Sequence, residues 1–432
     1  MRDILLIIIV GSILPFCIMR PYVGLLTWSW LGYMNPHRLT YGFAYNLPFV
    51  QIVALVTFIG LLFSKEPKRI PWTPVTMIWV LFIVWMTIST LDAFYPDQAW
   101  HEWMRMIKIQ LMVLVTLMVI NTRERINWLV WTIAISIGFY GIKGGIFTLL
   151  TGGTYRIWGP PGSFIVGNNE IAFALLIILP LMHYLQIIST NKWIKRAVVV
   201  AMILCGFAIL GSYSRGALLG SASMIFALWL KGKNKLFRGS IILVVIITAL
   251  SFMPDQWMER MDTIETYQQD GSAMGRINAW WFAYNLANEN ILTGGGYGSF
   301  SKELFFIYAP DPTDYHDAHS IYFEVLAEQG YIGLLLFVSI GLLTYFTGKW
   351  IIRNSKNNKE LQWASDLAAM LQVSLIGYSV GGAFLGLAYF DLPYHIMAIM
   401  ILVQQQVRKT LREQEVVVGK EIDSSNLLHR YE

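Results

Sequence analysis

The stretch "YHDAHSIYFEVLAEQGYIG", Tyr315 to Gly333, sets two histidines and three carboxylates directly before the run "LLLFVSIGLL", which has the composition of a membrane span. Titratable groups collect on one side of this boundary and apolar residues on the other. The chain is therefore read as entering a bilayer here from a polar external segment. The rest of the sequence agrees: it is 56% hydrophobic and 14% charged, the composition of a polytopic membrane protein.

The net charge of +5 does not point to nucleic acid, because most Lys and Arg stand in short clusters between apolar runs. Six clusters, Lys65/Lys68/Arg69, Arg123/Arg125, Lys192/Lys195/Arg196, Lys231/Lys233/Lys235/Arg238, Lys349/Arg353/Lys356/Lys359 and Arg408/Lys409/Arg412, are assigned to the cytoplasm. Between neighbouring clusters lie two apolar runs, split at about 92–102, 149–167, 212–216, 255–329 and 385–393, which makes ten spans. A further span covers about 47–63, and residues 3–36 hold either one span with an interfacial segment or two short ones. The expected fold is an all-α integral membrane protein with about twelve transmembrane helices and both termini in the cytoplasm. Residues 1–411 form its membrane domain, residues 255–329 a long, partly helical external loop, and residues 412–432 a polar, mobile tail.

The first run, "ILLIIIVGSILPFCIM", lacks a small-residue cleavage site and reads as a retained anchor. Cys17 and Cys205 both fall inside apolar runs, so neither a disulfide nor a cysteine metal site is expected. No internal repeat and no matching pair of broken helices marks an inverted-repeat transporter.

The long external loop holds twelve of the 27 acidic residues and only Arg260, Arg276 and Lys302 of the 32 basic ones. Within it, "GRINAWWFAYNLANEN" places Ile277, Trp280, Trp281 and Tyr284 on one stripe of a helix able to lie on the bilayer surface. After the turn "TGGGYGSF", a second helix is expected over Ala318–Gln329, with Asp317 as N-cap and Gly330 as the residue that ends it. His319 then sits in the first turn, where the helix dipole favours the neutral imidazole. His316, beside Asp314 and Asp317, is favoured in its charged form; solvated loop histidines are the alternative for both. Glu324 and Glu328 fall one turn apart on one face, placed to orient His319 or to bind a ligand's hydroxyl groups.

Cations on the external side break the positive-inside pattern. Arg215 lies in "GSYSRGALLG" at the tip of a short hairpin, Arg276 at the start of the surface helix, and Arg156 in "GGTYRIWGPPG". Lys143, Arg105 and Lys108 stand near the outer ends of their spans, where snorkelling to headgroups is the alternative to ligand binding. Together these groups call for an anionic ligand reachable from the bilayer, and guanidinium forks suit phosphate oxygens. A lipid-linked phosphate or pyrophosphate meets both conditions.

The ordered set "SRG" at Arg215, "GR" followed by aromatics at Arg276, "GGGYGSF" and "AHSIYFEVLAEQGYIGL" resembles the O-antigen ligase and polymerase superfamily of bacterial envelope glycosyltransferases. The resemblance covers roughly residues 160–345, including "GNNEIAFALLIILPL", and the His-to-Gly motif is its most specific part. The N-terminal region resembles that of a branch of O-glycosylation ligases. The resemblance implies a multi-pass enzyme of the bacterial inner membrane that works on the periplasmic face. Its donor would be an undecaprenyl-pyrophosphate-linked glycan, with Arg215 and Arg276 on the pyrophosphate and His319 as the essential histidine. Many relatives carry Asn after this histidine where this chain has Ser320.

The expected chemistry is an inverting glycosyl transfer without cofactor or metal, His319 acting as base. No nucleotide-binding glycine fingerprint appears, and Asp311, Asp314 and Asp317 read as solvated loop surface. The first expectation for the acceptor is the lipid A core, an O-antigen ligase. A polymerase and a protein O-oligosaccharyltransferase use the same donor. A lipid-linked glycan transporter, the reading from another class, would need charges in the middle of the spans.

Overall fold

The computed structural model describes residues 1–231, 240, 251–262 and 271–428. The side chains of the Lys231–Arg238 cluster, the span expected between it and residue 255, Arg260's side chain and the last four residues lie outside the described part. Among the described residues the chain is all helical, as expected, with no strand.

Nine helices come first: α1 (Arg2–Met19), α2 (Pro21–Met34), α3 (Phe49–Phe63), α4 (Pro74–Leu91), α5 (Pro96–Val119), α6 (Arg123–Leu150), α7 (Asn168–Ile188), α8 (Lys192–Gly211) and α9 (Arg215–Lys231). Then follow α10 (Asp255–Asp262), α11 (Gly271–Glu289), α12 (Lys302–Tyr308), α13 (Ile321–Ser355), α14 (Gln362–Gly381) and α15 (Asp391–Leu428). Six of them, α1, α4, α6, α7, α8 and α13, are long and apolar enough to cross a membrane.

Loop contacts define two ends of the bundle. At one, Arg125 makes a bidentate pair with Glu66 at 2.6 and 2.9 Å, Gln406 Nε2 donates to Asn121 O at 2.7 Å, and Asn358 Nδ2 donates to Gln414 Oε1 at 2.9 Å. At the other, Phe94 N–H donates to Gly295 O (3.1 Å), Ile157 N–H to Gly211 O (3.1 Å) and Ile321 N–H to Gly382 O (2.8 Å). The described basic clusters gather at the first end.

Residues 3–36 form two helices rather than a span and an interfacial segment. Pro21 at the first position of α2 starts a new helix directly after α1, because proline lacks the N–H that α1 would need to continue. Arg2 and Asp3 reach the loop before α3, Arg2 Nη1 donating to Leu39 O and Asp3 Oδ1 accepting from Ala44 N–H. The start of the chain thus lies at the end opposite Glu66 and Gln406, not on the same side as the last helix as expected. The segment after Arg412, expected as a mobile tail, continues α15 helically to Leu428, anchored by Gln414 on Asn358 and Glu360.

Between α10 and α13 the chain builds a core of its own. Ala279, Phe282, Ala283 and Leu286 on one face of α11 pack on Leu304 and Phe305 of α12 and on Ala327. Phe282 and Phe305 stack with centroids 4.2 Å apart; burial of each such ring contributes about 1.5–3 kcal/mol. The opposite face carries the expected stripe: Ile277, Trp280, Trp281 and Tyr284 line an open apolar cleft of about 260 Å³ with Phe323.

Gly330 ends the first segment of α13, as expected, with φ +65° and ψ −170° in a kink between two helical segments. A Cβ there would overlap Leu292 O, and one at Gly294 (φ +63°) would overlap Ala327 O. The glycines of the "TGGG" turn and the kink therefore let two backbones touch, closed by Gly295 N–H to Ala327 O (2.8 Å) and Tyr331 N–H to Ile291 O (3.0 Å). Trp85 Nε1 donates to Gln329 O at 2.9 Å and satisfies one carbonyl freed by the kink.

Candidate active site

His319 is presented by a loop, residues 309–320, tied down by one helix. Asn278 Nδ2 donates to Asp311 O (2.8 Å) and Asp314 O (2.9 Å), while Asp311 N–H donates back to Asn278 Oδ1 (2.9 Å). Two residues further along α11, Trp280 Nε1 donates to Ala318 O at 2.8 Å, and its ring lies on Phe323 at 5.1 Å with 9° between planes. Gly275 lies so close to the loop that an added Cβ would sit 2.6 Å from His316 Nε2. α11 thus fixes the approach to His319 from both of its faces, Asn278 on the packed one and Trp280 on the cleft one.

The helix begins later than the sequence suggests. Ser320 is the N-cap and Ile321 the first residue of α13, so His319 lies outside the helix, with φ +43° in the left-handed region. Burial, and next the Arg276 guanidinium, lower the His319 pKa below its ordinary 6.5, with Asp317 opposing. The imidazole is neutral at pH 7 as expected, but through desolvation and a nearby cation rather than a helix dipole. His316 Nε2 lies 2.7 Å from Asp314 Oδ1, the acidic pairing expected for it.

Arg276 is half-buried and interacts electrostatically with both His319 and Glu170. Glu170 was missed in the sequence, where it looked like an ordinary first-turn acid ahead of an apolar run. In the fold it curls back over Gly167 at the N-terminus of α7 and also feels Asp317.

Arg215 is half-buried at the first position of α9. Its neighbour Gly216 packs on Leu385, with a Cβ placed 3.0 Å from that side chain, and Asn168 Nδ2 donates to Ser212 O at 2.8 Å. The turn after α14, which holds Leu385, is also the one whose Gly382 O accepts from Ile321 N–H. A hydrogen bond therefore joins the segments carrying Glu170 and Arg215, and the turn bonded to Ile321, two residues after His319, packs against Gly216 at the same end of the bundle. Glu324 Oε2 accepts from Ala388 N–H (3.2 Å) in the same turn, and Glu328 Oε1 from Gly298 N–H (3.4 Å), so both brace the loops around the site.

The remaining expected cations diverge. Arg156 is exposed, its guanidinium carbon 5.6 Å from the Tyr213 ring, two residues before Arg215. Arg105 lies 4.0 Å over Phe164 and 3.6 Å from Glu102. Because α5 begins at Pro96, Lys108 stands twelve residues, about 18 Å, along it and not at its outer end. Lys143 shares an exposed face of α6 with Phe139, Ile146 and Phe147, the placement of a snorkelling lysine.

The helical bundle, of membrane-spanning character, thus carries an imidazole and guanidiniums at one end. Residues 200–338 match the family described as O-antigen ligase, and residues 1–190 match a family of unknown function. The chain therefore carries an O-antigen ligase-like domain, the superfamily its motifs resemble, and Arg215, Arg276 and His319 all fall within it. Arg105, Lys108, Lys143 and Arg156 fall in the other matched region. No curated protein matches the chain.

Proposed function

We propose that the protein is an O-antigen ligase-type glycosyltransferase. It transfers a glycan from undecaprenyl pyrophosphate to a hydroxyl of the lipid A core, at the periplasmic face of the bacterial inner membrane. The observation that carries this reading is the neutral, loop-borne His319 beside Arg276, in a domain that matches the O-antigen ligase family. The clustering of basic residues at the opposite end supports a cytoplasmic position for that end, and so an outward-facing site.

His319 takes the proton of the acceptor hydroxyl as its oxygen attacks the anomeric carbon, opposite the pyrophosphate. The bond from that carbon to the pyrophosphate oxygen breaks with its electron pair. Arg215 and Arg276 bind the oxygens on which the charge develops, and their planar forks match phosphate geometry. Configuration inverts in this single displacement. A pyrophosphate leaves without protonation, so no strong acid is required, and the scheme runs without a metal.

Purified protein supplied with the lipid-linked glycan and three acceptors together tests the assignment. The expected product is glycosylated lipid A core. Transfer only to a second lipid-linked repeat would make the protein a polymerase, and transfer only to a Ser/Thr peptide a protein O-oligosaccharyltransferase.

A further inference from the structure

The part of the chain that precedes Arg215 carries four arginines at the His319 end of the bundle, each laid over an aromatic ring. Guanidinium carbons lie 5.4 Å (Arg2 over Tyr41), 4.5 Å (Arg38 over Tyr45), 4.0 Å (Arg105 over Phe164) and 5.6 Å (Arg156 over Tyr213) from the ring centroids. Stacking occupies the face of a guanidinium and leaves its N–H edge for oxygen acceptors. Of the carboxylates at this end, Asp3 accepts from Ala44 N–H at 3.0 Å and Glu102 lies 3.6 Å from Arg105. Arg38 Nη1 donates to Asn46 Oδ1 at 3.4 Å, while its Nε is buried with no hydrogen-bond partner among the described residues.

The loop between α6 and α7 gathers three of the four. Gly162, at φ +70°, passes so near Arg38 that an added Cβ would sit 3.3 Å from the guanidinium carbon. Two residues later Phe164 carries Arg105, and at the other edge of the loop Arg156 lies on Tyr213, close in sequence to Arg215. The loop is a fixed part of the bundle end. Ile157 and Ile165 are buried beneath it, and Ile157 N–H donates to Gly211 O at 3.1 Å. A snorkelling arginine leaves a helix flank for the headgroups, whereas Arg38 and Arg156 come from loops packed against the bundle end. On the same loop Tyr155 and Trp158 are 62% and 61% exposed and offer ring faces to the apolar faces of sugars.

We propose that this surface binds an acidic glycan, a saccharide chain bearing carboxylate or phosphate groups, that extends from the reacting centre at Arg215 across the loop to Arg38. The choice of a glycan rests on the proposed function. The surface gives the N-terminal part of the chain a role in holding the saccharide.

Binding measured on the purified full chain in zwitterionic phosphatidylcholine nanodiscs separates this surface from catalysis. The probe is an oligogalacturonate, with a neutral maltooligosaccharide of equal length as control. The wild type binds the acidic chain and not the neutral one. The double variant Arg38→Gln/Arg105→Gln weakens that binding about tenfold or more through lost charge-assisted hydrogen bonds, and the single variant Arg105→Gln, at an exposed position, weakens it less. His319→Ala binds as the wild type does, so a failure of the proposed base leaves this result intact. No binding by the wild type, or equal binding by the wild type and the double variant, overturns the proposal. If, in a parallel set of nanodiscs that also contain phosphatidylglycerol, the substitutions change only the response to that anionic lipid, the arginines serve lipid phosphates and the proposal falls.

Discussion

Replacing Trp280 by Phe removes one donor and keeps one ring. The lost contact is the Nε1–H···O bond to Ala318 at 2.8 Å; stacking on Phe323 at 5.1 Å survives with the smaller ring. Ala318 O belongs to the peptide leading into His319, whose φ of +43° the surrounding structure has to hold. One such hydrogen bond contributes about 1 kcal/mol. Set against 1.36 kcal/mol per tenfold, its loss lowers the ratio of loop conformations with His319 in place to those without about fivefold, and the in-place fraction by at most that factor. Trp280 touches no reacting atom in the proposed scheme, so kcat for transfer should fall by up to that factor while KM for the lipid-linked donor stays within twofold of wild type, about the scatter of such measurements. Steady-state transfer in proteoliposomes with purified donor measures both. Trp280→Ala, which also removes the ring, should lose more activity and some thermal stability. An unchanged kcat in Trp280→Phe, or a rise in donor KM alone, refutes the positioning role.

The acid limb of the kcat/KM profile should have its midpoint below the ordinary histidine value of 6.5, because burial and Arg276 depress the His319 pKa. Activity is then flat above that midpoint and lost as pH falls through it, and Arg276→Gln should move the limb upward; a limb above 6.5 in the wild type contradicts the assignment. Arg276→Lys should lower kcat/KM about tenfold or more, since a point charge does not reproduce a two-pronged contact to phosphate; full activity rules out bidentate binding. Gly330→Ala should cost about 1–3 kcal/mol, as Ala at φ +65° is strained and its Cβ meets Leu292 O. A thermal melt in detergent matching wild type would show that the kink tolerates a side chain.

Much of the helical arrangement was legible in the apolar runs and basic clusters, because membrane partition acts on local composition. The break at Gly330 and the stripe of Ile277, Trp280, Trp281 and Tyr284 were legible for the same reason: each depends on residues close in sequence. The start of α13 was not. Asp317 and Ser320 are equally good N-caps locally, and the choice is made by Trp280 and by Gly382, some forty and sixty residues away. Glu170 gave only a first-turn acid, and nothing local reveals that α7 delivers it to Arg276 and Asp317. Lys108 was read as an end-of-span lysine because its polar neighbours looked like loop; α5 instead starts at Pro96 and carries those polar residues on its first turns. The side on which the chain begins depended on whether residues 3–36 cross once or twice, a matter decided by Pro21 and by the bonds from Arg2 and Asp3 to the loop before α3.

The account stands on an uncharged imidazole that accepts the acceptor's proton while arginines hold the leaving group. Single-turnover transfer by His319→Ala, at saturating lipid-linked donor and in protein that melts and binds donor like wild type, tests it most directly. Loss of about 10²–10⁴-fold in rate, the contribution of a positioned general base, is the predicted result; a rate within a few-fold of wild type contradicts it.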